Sequence, residues 1–377
     1  MIVSVICAYN PNNTGMYTVD KAVSDFFENH SDVELVFYIV GDAGKSRDGE
    51  GDIVYKSLTD SYNDVISSDI ILFWGDFICS YDFWVGALIP RMISHGVTAD
   101  FESSIEFLYK YILLEGADDS VFSKVIIYGT TIVADDSTSL CCERYFRSMC
   151  RLIKKARLVC FRDALSYARF TFLGSPVLKL VPDCAMLNAN KYPLGLGGNN
   201  RIGVYIGRSE KLEQLKFVSL ARSIKKKVKM DVEWIQWFPR KTRDKRLSFL
   251  ISGSVSDERP KPSQVVNGLY QYDLIVTDVY HLAVNSWARG VPAILIGYGA
   301  RHEKGTLGSK KKEMLFSSFF IQDYYVFWES VSLFNNSDLV NMIDLKLKNK
   351  SLNGQVSSLV RCAAKDASDY LKKSIFG

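Results

Sequence analysis

Tyr272–Tyr298 reads YDLIVTDVYHLAVNSWARGVPAILIGY, and this stretch decides the fold. Two short apolar runs, Leu274–Thr277 and Ala293–Ile296, have the length and aliphatic character of buried strands. Between them His281–Arg289 has helix length, and Gly290 followed by Pro292 ends it. The stretch is therefore a strand–helix–strand unit. Its turn, Asp278–His281, lies at the carboxyl end of the first strand and the amino end of the helix. Open parallel sheets bind ligands at that edge, where helix amides face anions. His281 sits there, one of four histidines in the chain. Imidazole is the side chain that titrates near neutral pH without help, which makes His281 the candidate catalytic residue. The plainer alternative is a histidine that only caps the helix or fills a gap.

Working outward, the same alternation precedes the unit. Strands are expected at Ile2–Tyr9, Leu35–Val40, Asp69–Trp74, Lys124–Tyr128, Arg157–Phe161 and Val177–Leu180. Helical spacing marks Tyr17–Glu28, Leu58–Ser68, Tyr81–Ile89, Phe101–Leu114, Ser139–Ala156 and Asp163–Phe172. Strands that each lead into a helix imply a parallel sheet covered on both faces. Asn188–Asn200 (NANKYPLGLGGNN) is the candidate linker, after which the pattern restarts. Arg201–Ile206, Val232–Phe238, a short Phe249–Gly253 and Phe319–Tyr325 read as strands; Glu210–Lys225, Asp338–Leu345 and Val356–Lys373 read as helices. The fold class is α/β: two Rossmann-like, doubly wound domains facing a cleft, in the GT-B manner. The expected domains are residues 1–190 on the acceptor side and 191–355 on the donor side. A C-terminal helix, 356–377, is expected to pack back on the first.

At 377 residues the chain is long enough for two cores. No run approaches the roughly 18 apolar residues of a membrane span. The start, MIVSVICAYNPNN, reads as a first strand and not a signal peptide, so a cytoplasmic location is expected. Eight cysteines without a CxxC pair suit reduced core thiols. Residues 1–190 hold 16 Lys+Arg against 25 Asp+Glu, and the remainder 30 against 17. The basic half suits an anionic ligand, or peripheral contact at the inner face of an anionic membrane. No zinc-finger, RNP or helix-turn-helix pattern accompanies the charge, so nucleic acid is not expected as a partner.

Phe161-Arg162-Asp163-Ala164-Leu165-Ser166-Tyr167, then Gly174, then Val181-Pro182-Asp183-Cys184-Ala185 resembles the polysaccharide pyruvyl transferase family. Asp69–Gly75, Val125–Gly129 and Asp273–Gly290 with Val291-Pro292-Ala293-Ile294 agree with it. The resemblance implies a transferase that moves pyruvate from phosphoenolpyruvate to a sugar of a surface polysaccharide or its lipid-linked precursor. It implies no cofactor and a glycan or lipid-linked oligosaccharide as acceptor. The chain departs from the pattern at Val279 and Leu282, where the family usually has an arginine and a glycine. A bidentate guanidinium is not replaced by valine, so another cation must serve or the donor differs. The alternatives are a GT-B glycosyltransferase using a nucleotide-sugar donor, or a non-catalytic carbohydrate-binding or assembly protein.

Candidate donor-binding residues are Arg208 and Ser209 after the first strand of the second domain, Tyr280 beside the histidine, and Lys304 and Lys311 in the loop that follows. Lys311 is chosen because the resemblance implies a lysine in this region. Gly305 and Gly308 would let Arg301–Lys312 act as a lid. Candidate acceptor-binding residues are Asn10, Asn13 and Gly15 after the first strand, and Gly75 and Asp76 after the third. Amides and carboxylates suit sugar hydroxyls. Trp74, Trp84 and Tyr81 can stack on a sugar, though aromatics at this density are usually core. Arg162 and Asp163 read as a charged pair capping a helix. Asp135-Asp136 has no third ligand in reach of the pattern, and no metal site is expected.

Overall fold

The computed structural model describes residues 1–8, 13–41, 53–75, 78–132, 142–194, 198–207, 210–238, 242–255, 260–299 and 307–377, the side chains of 307–311 excepted. The chain forms two compact units. The first comprises Met1–Pro11, Val19–Leu187 and Asp366–Gly377; the second comprises Asn12–Thr18 and Asn188–Lys365.

The first unit is built on seven parallel strands: β1 (Ile2–Cys7), β2 (Glu34–Ile39), β3 (Tyr55–Ser57), β4 (Ile70–Trp74), β5 (Val125–Thr130), β6 (Leu158–Phe161) and β7 (Leu178–Leu180). Their order is β3-β2-β1-β4-β5-β6-β7, so the direction of winding reverses between β1 and β4. Every residue of β4, β5 and β6 is buried. That is why these strands read as unbroken apolar runs: a parallel strand covered on both faces has no polar side to show.

The second unit carries five parallel strands: β8 (Arg201–Tyr205), β9 (Asp231–Trp234), β10 (Leu274–Thr277), β11 (Ala293–Gly297) and β12 (Tyr325–Phe327). The order β12-β11-β10-β8-β9 reverses between β8 and β10. β10 pairs with β8 from Leu274–Ile202 to Thr277–Tyr205, so both strands end together.

Four local readings are corrected. β3 was not expected; its three residues, YKS, are too few to show a period. It is held by burial of Tyr55, whose hydroxyl donates to Asp20 Oδ2 at 2.5 Å. Phe249–Gly253 is not a strand but the end of a helix, Thr242–Ser252. Leu247 and Ile251 lie one turn apart on its buried side, and Gly253, at φ +74°, closes it. Phe319–Tyr325 is mostly a turn, with Phe320 at φ +58° and the short helix Gln322–Tyr324 before β12. Leu307–Ser318 is helical, so that part of the expected lid is regular structure; 300–306 lie outside the described residues. The final helix runs Lys350–Phe376, and in the first unit the Phe376 ring stacks on His30 at 4.4 Å.

The Arg162–Asp163 reading is half right. Asp163 caps the helix Ala164–Ala168, its Oδ1 accepting from the Ser166 amide at 2.7 Å. Its Oδ2 accepts from the hydroxyls of Thr131 and Ser166, both at 2.6 Å. With that carboxylate held by local donors, Arg162 turns to Asp183, Nη1 to Oδ2 at 2.8 Å. Both side chains are almost wholly buried, at 1% and 0% exposure. None of the described cysteines is in a disulfide. Burial pushes the Cys160 thiol well above its ordinary range, which keeps it an inert core group. Removing one member of a buried pair strands the other charge, so Asp183→Ala should cost about 3–5 kcal/mol in urea unfolding. The double variant Arg162→Met/Asp183→Leu should recover most of that loss.

Candidate functional site

The second sheet reverses between β8 and β10, and open α/β sheets take ligands at the carboxyl edge of such a point. Here the two strand ends are tied together. The Gly207 amide, just past β8, donates to Asp278 Oδ1, just past β10, at 2.6 Å. A Cβ on Gly207 would lie 2.8 Å from Val279 Cγ2 and 3.1 Å from Phe238, so only glycine fits this contact. The Val279 amide donates to Thr277 Oγ1 at 3.0 Å, turning the chain into the helix Tyr280–Ala288. Every residue of that helix is buried. His281 lies in its first turn, 8% exposed, with the Tyr280 ring edge-on at 5.2 Å.

One wall of the histidine comes from far away in sequence but from the same unit. Asn13 Oδ1 accepts from the Gly15 amide at 2.9 Å, and the Asn13 carbonyl accepts from Met16 and Tyr17, which starts the helix Thr14–Phe27. The Thr14 hydroxyl donates to the Trp237 carbonyl. This seats Gly15 directly on the imidazole. A Cβ on Gly15 would fall 2.5 Å from His281 Cβ, 2.6 Å from Nδ1 and 2.7 Å from Cγ.

Two cations are fixed at the same strand ends. Lys312 Nζ donates to the Asp278 carbonyl at 2.8 Å. Arg243 Nη1 donates to the Gly207 carbonyl at 2.8 Å, and its Nε and Nη2 reach Asp244 Oδ1 at 2.9 and 2.8 Å. Burial, and then the charge of Asp244, push the neighbouring Tyr205 phenol far up, so it stays neutral. The edge thus carries an ammonium and a guanidinium anchored on the carbonyls of Asp278 and Gly207, with the imidazole of His281 three residues past Asp278.

The structure brings His281, Tyr280, Asn13 and Gly15 together within the second unit. Gly75 belongs to the first unit, past β4, at φ +72° with Val19 packed where a Cβ would stand. Asn10, Asp76, Arg208, Ser209 and Lys304 lie outside the described residues, as do Asp135-Asp136 and the side chain of Lys311. Trp74 and Trp84 are core: both are fully buried, and their indole N–H groups donate to the carbonyls of Val19 and Ile78. Among the described residues no cluster of three metal-ligating side chains occurs. Sequence reading missed Arg243, because a charge run gives no sign of which arginine turns inward. It also passed over Asn285 and Arg289, although His281, Asn285 and Arg289 recur at four-residue spacing in an apolar helix.

A family model of the polysaccharide pyruvyl transferases matches residues 9–300. None of the curated proteins matches the chain in sequence. Among solved structures, a proposed UDP-N-acetylglucosamine 2-epimerase from Listeria monocytogenes is similar at TM-score 0.53 and 11% identity, over 98% of this chain and 95% of that one. The UDP-GlcNAc 2-epimerase of Neisseria meningitidis, solved with UDP-GlcNAc bound, is similar at TM-score 0.50 and 11% identity, over 99% and 100%. These likenesses show the fold, an α/β architecture of GT-B type.

Gly15→Ala tests the seat of the histidine. In an open helix that change stabilises by roughly 1 kcal/mol, whereas overpacking a filled site costs about 1–3 kcal/mol. Gly15→Ala should therefore destabilise and move the His281 imidazole resonances. Gly354→Ala, in a helix with nothing within 4 Å of the new Cβ, should stabilise instead. Chemical denaturation and NMR of the two variants check both signs.

Proposed function

Because the chain belongs to the polysaccharide pyruvyl transferase family, we propose that it transfers pyruvate from phosphoenolpyruvate to a sugar of a surface glycan or its lipid-linked precursor. The observation that carries this reading is the grouping of His281 with Lys312 and Arg243 at the switch point of the second sheet. Phosphoenolpyruvate presents two anionic groups, a phosphate and a carboxylate, beside a carbon that must gain a proton. An edge with two separate cations and one imidazole matches that demand.

Ketal formation balances as follows. Two sugar hydroxyls form bonds to C2, the C2–O bond to phosphate breaks, and C3 gains a proton. Of the two hydroxyl protons released, one is matched by the proton on C3 and the other leaves with the phosphate. His281 can take a hydroxyl proton as neutral imidazole and return it as imidazolium. Lys312 and Arg243 hold the anionic donor and stabilise the departing phosphate. No metal or organic cofactor is called on. The acceptor is a glycan or lipid-linked oligosaccharide, and a cytoplasmic enzyme, working at the inner face of the membrane when the precursor is lipid-linked, completes the proposal. Among the described residues no helix is long and apolar enough to cross a membrane.

A second reading, glycosyl transfer from a nucleotide sugar, is favoured by Val279, whose side chain packs at Gly207 where the resemblance implies an arginine. Thermal-shift measurements separate the two. A ligand present at 100 times its Kd stabilises by about 2.7 kcal/mol. Phosphoenolpyruvate should raise the melting temperature and UDP, GDP and their sugars should not; the reverse pattern overturns the pyruvyl reading, and no shift by any of them favours a non-catalytic glycan-binding protein. His281→Ala should keep its melting temperature to within a few degrees and lose about 10²–10⁴-fold in kcat. Lys312→Met should raise KM for phosphoenolpyruvate more than it lowers kcat.

A further inference from the structure

The helix Tyr280–Ala288 carries a run of buried polar side chains that leads from its end back to the His281 turn. Arg289, just past its end, is 4% exposed, and its guanidinium lies 3.9 Å from the centre of the Tyr192 ring. Its Nη1 donates to Asn285 Oδ1 at 3.2 Å and to the Asn285 carbonyl at 3.3 Å. Asn285, 1% exposed, donates through Nδ2 to Thr18 Oγ1 at 3.0 Å and to the His281 carbonyl at 2.8 Å. The Thr18 hydroxyl donates to the Gly15 carbonyl at 2.7 Å. Gly15 is the residue pressed against the imidazole. All six residues belong to the second unit.

The direction of these bonds is set from two sides, by the Arg289 guanidinium and by the His281 carbonyl, which can only accept from the Asn285 amide nitrogen. A guanidinium donates and never accepts, so the atom of Asn285 facing Arg289 must be the amide oxygen. The amide nitrogen then faces Thr18. Thr18 Oγ1 accepts that bond, so its own proton goes to the Gly15 carbonyl. Without a donor at position 289 the buried amide oxygen of Asn285 loses its partner, and the amide that holds Thr18 is less firmly fixed. We propose that Arg289, Asn285 and Thr18 are positioning residues that hold Gly15, and through it the His281 imidazole, in one place. This rests on the reading of His281 as the proton carrier, and it adds residues that never touch the reacting atoms.

The plainer role for Arg289 is a cation at a helix C-terminus, which steadies the dipole. That role does not involve Thr18, so Thr18 separates the two. Thr18→Val keeps the shape and removes the hydroxyl; Thr18→Ser keeps the hydroxyl. Thr18→Val should lower kcat by tenfold or more with KM for phosphoenolpyruvate within twofold of wild type, and Thr18→Ser should restore most of kcat. The long-range proton–nitrogen NMR signals of His281, assigned by their loss in His281→Ala, should shift in Thr18→Val and return in Thr18→Ser. Arg289→Met should reproduce the shift, and Arg289→Lys, which restores a donor, should reverse it. Unchanged His281 signals and kcat in a folded Thr18→Val overturn the proposal, as does an equal loss in Thr18→Ser. Should Thr18→Val fail to fold, Thr18→Ala set against Thr18→Ser makes the same comparison of hydroxyl absent with hydroxyl present. The NMR result stands apart from turnover: active His281→Ala with hydroxyl-dependent shifts would sink the catalytic role and keep the positioning.

Discussion

No side chain fits between the first turn of Thr14–Phe27 and the imidazole of His281. The space where a Cβ of Gly15 would stand is already filled by three atoms of the histidine, all within 2.7 Å. Much of the second unit follows from that exclusion. Glycine alone lets backbone replace side chain as the wall of the site, and backbone is the stiffer of the two. It also makes the unit discontinuous. A segment following the first strand of the first unit must be in place before the histidine after β10 has its neighbour. The Asn13 cap and the Thr14–Trp237 bond are what fix this segment, since a bare helix start has little to hold it.

The helix after β10 poses the opposite problem. It is buried along its whole length, so each polar group on it costs free energy unless partnered. His281, Asn285 and Arg289 lie along one side of it, one turn apart. A helix that is buried all round needs only apolar residues for stability. Polar residues retained at that spacing, with bonds running from one to the next, point to a demand other than packing. The same reasoning applies to Asp278, buried, whose carboxylate is used on the Gly207 amide just past β8. That bond locks together the two strands between which the sheet reverses.

Most of this was legible in the sequence, and the failures have local causes. The buried parallel strands were found because a strand covered on both faces is an apolar run bounded by turn residues. The unit Leu274–Gly297 fell within a residue or two of its expected ends for the same reason. β3 was missed because three residues carry no period, and Phe249–Gly253 was misread because an apolar cluster of five suits a strand or the end of a helix equally. His281 and Gly15 were each picked out by their place after a strand. That they touch was not legible, because chain order gives no sign that Asn12–Thr18 pack with the second unit. Arg162 was paired with its neighbour in sequence and turned instead to Asp183; the carboxylate of Asp163 was already held by the helix it caps.

Val279 was legible as a departure but not as a consequence. A valine at this turn removes the charge and leaves a compact apolar contact with Gly207, the residue whose amide joins the two strands. The charge reappears on other elements. Arg243 comes from the helix after β9 and Lys312 from the helix after β11, each anchored on a carbonyl of the same pair, Gly207 and Asp278. One planar fork beside the histidine would grip a single carboxylate or phosphate through two parallel bonds. Two cations held at separate carbonyls instead favour a ligand whose anionic groups are themselves separate. Arg243 is also paired with Asp244, which fixes the direction of its guanidinium. On the proposed reading, the anion-binding part at this edge falls to Lys312 and Arg243, each held on a carbonyl of the strand pair, while Val279 packs at Gly207.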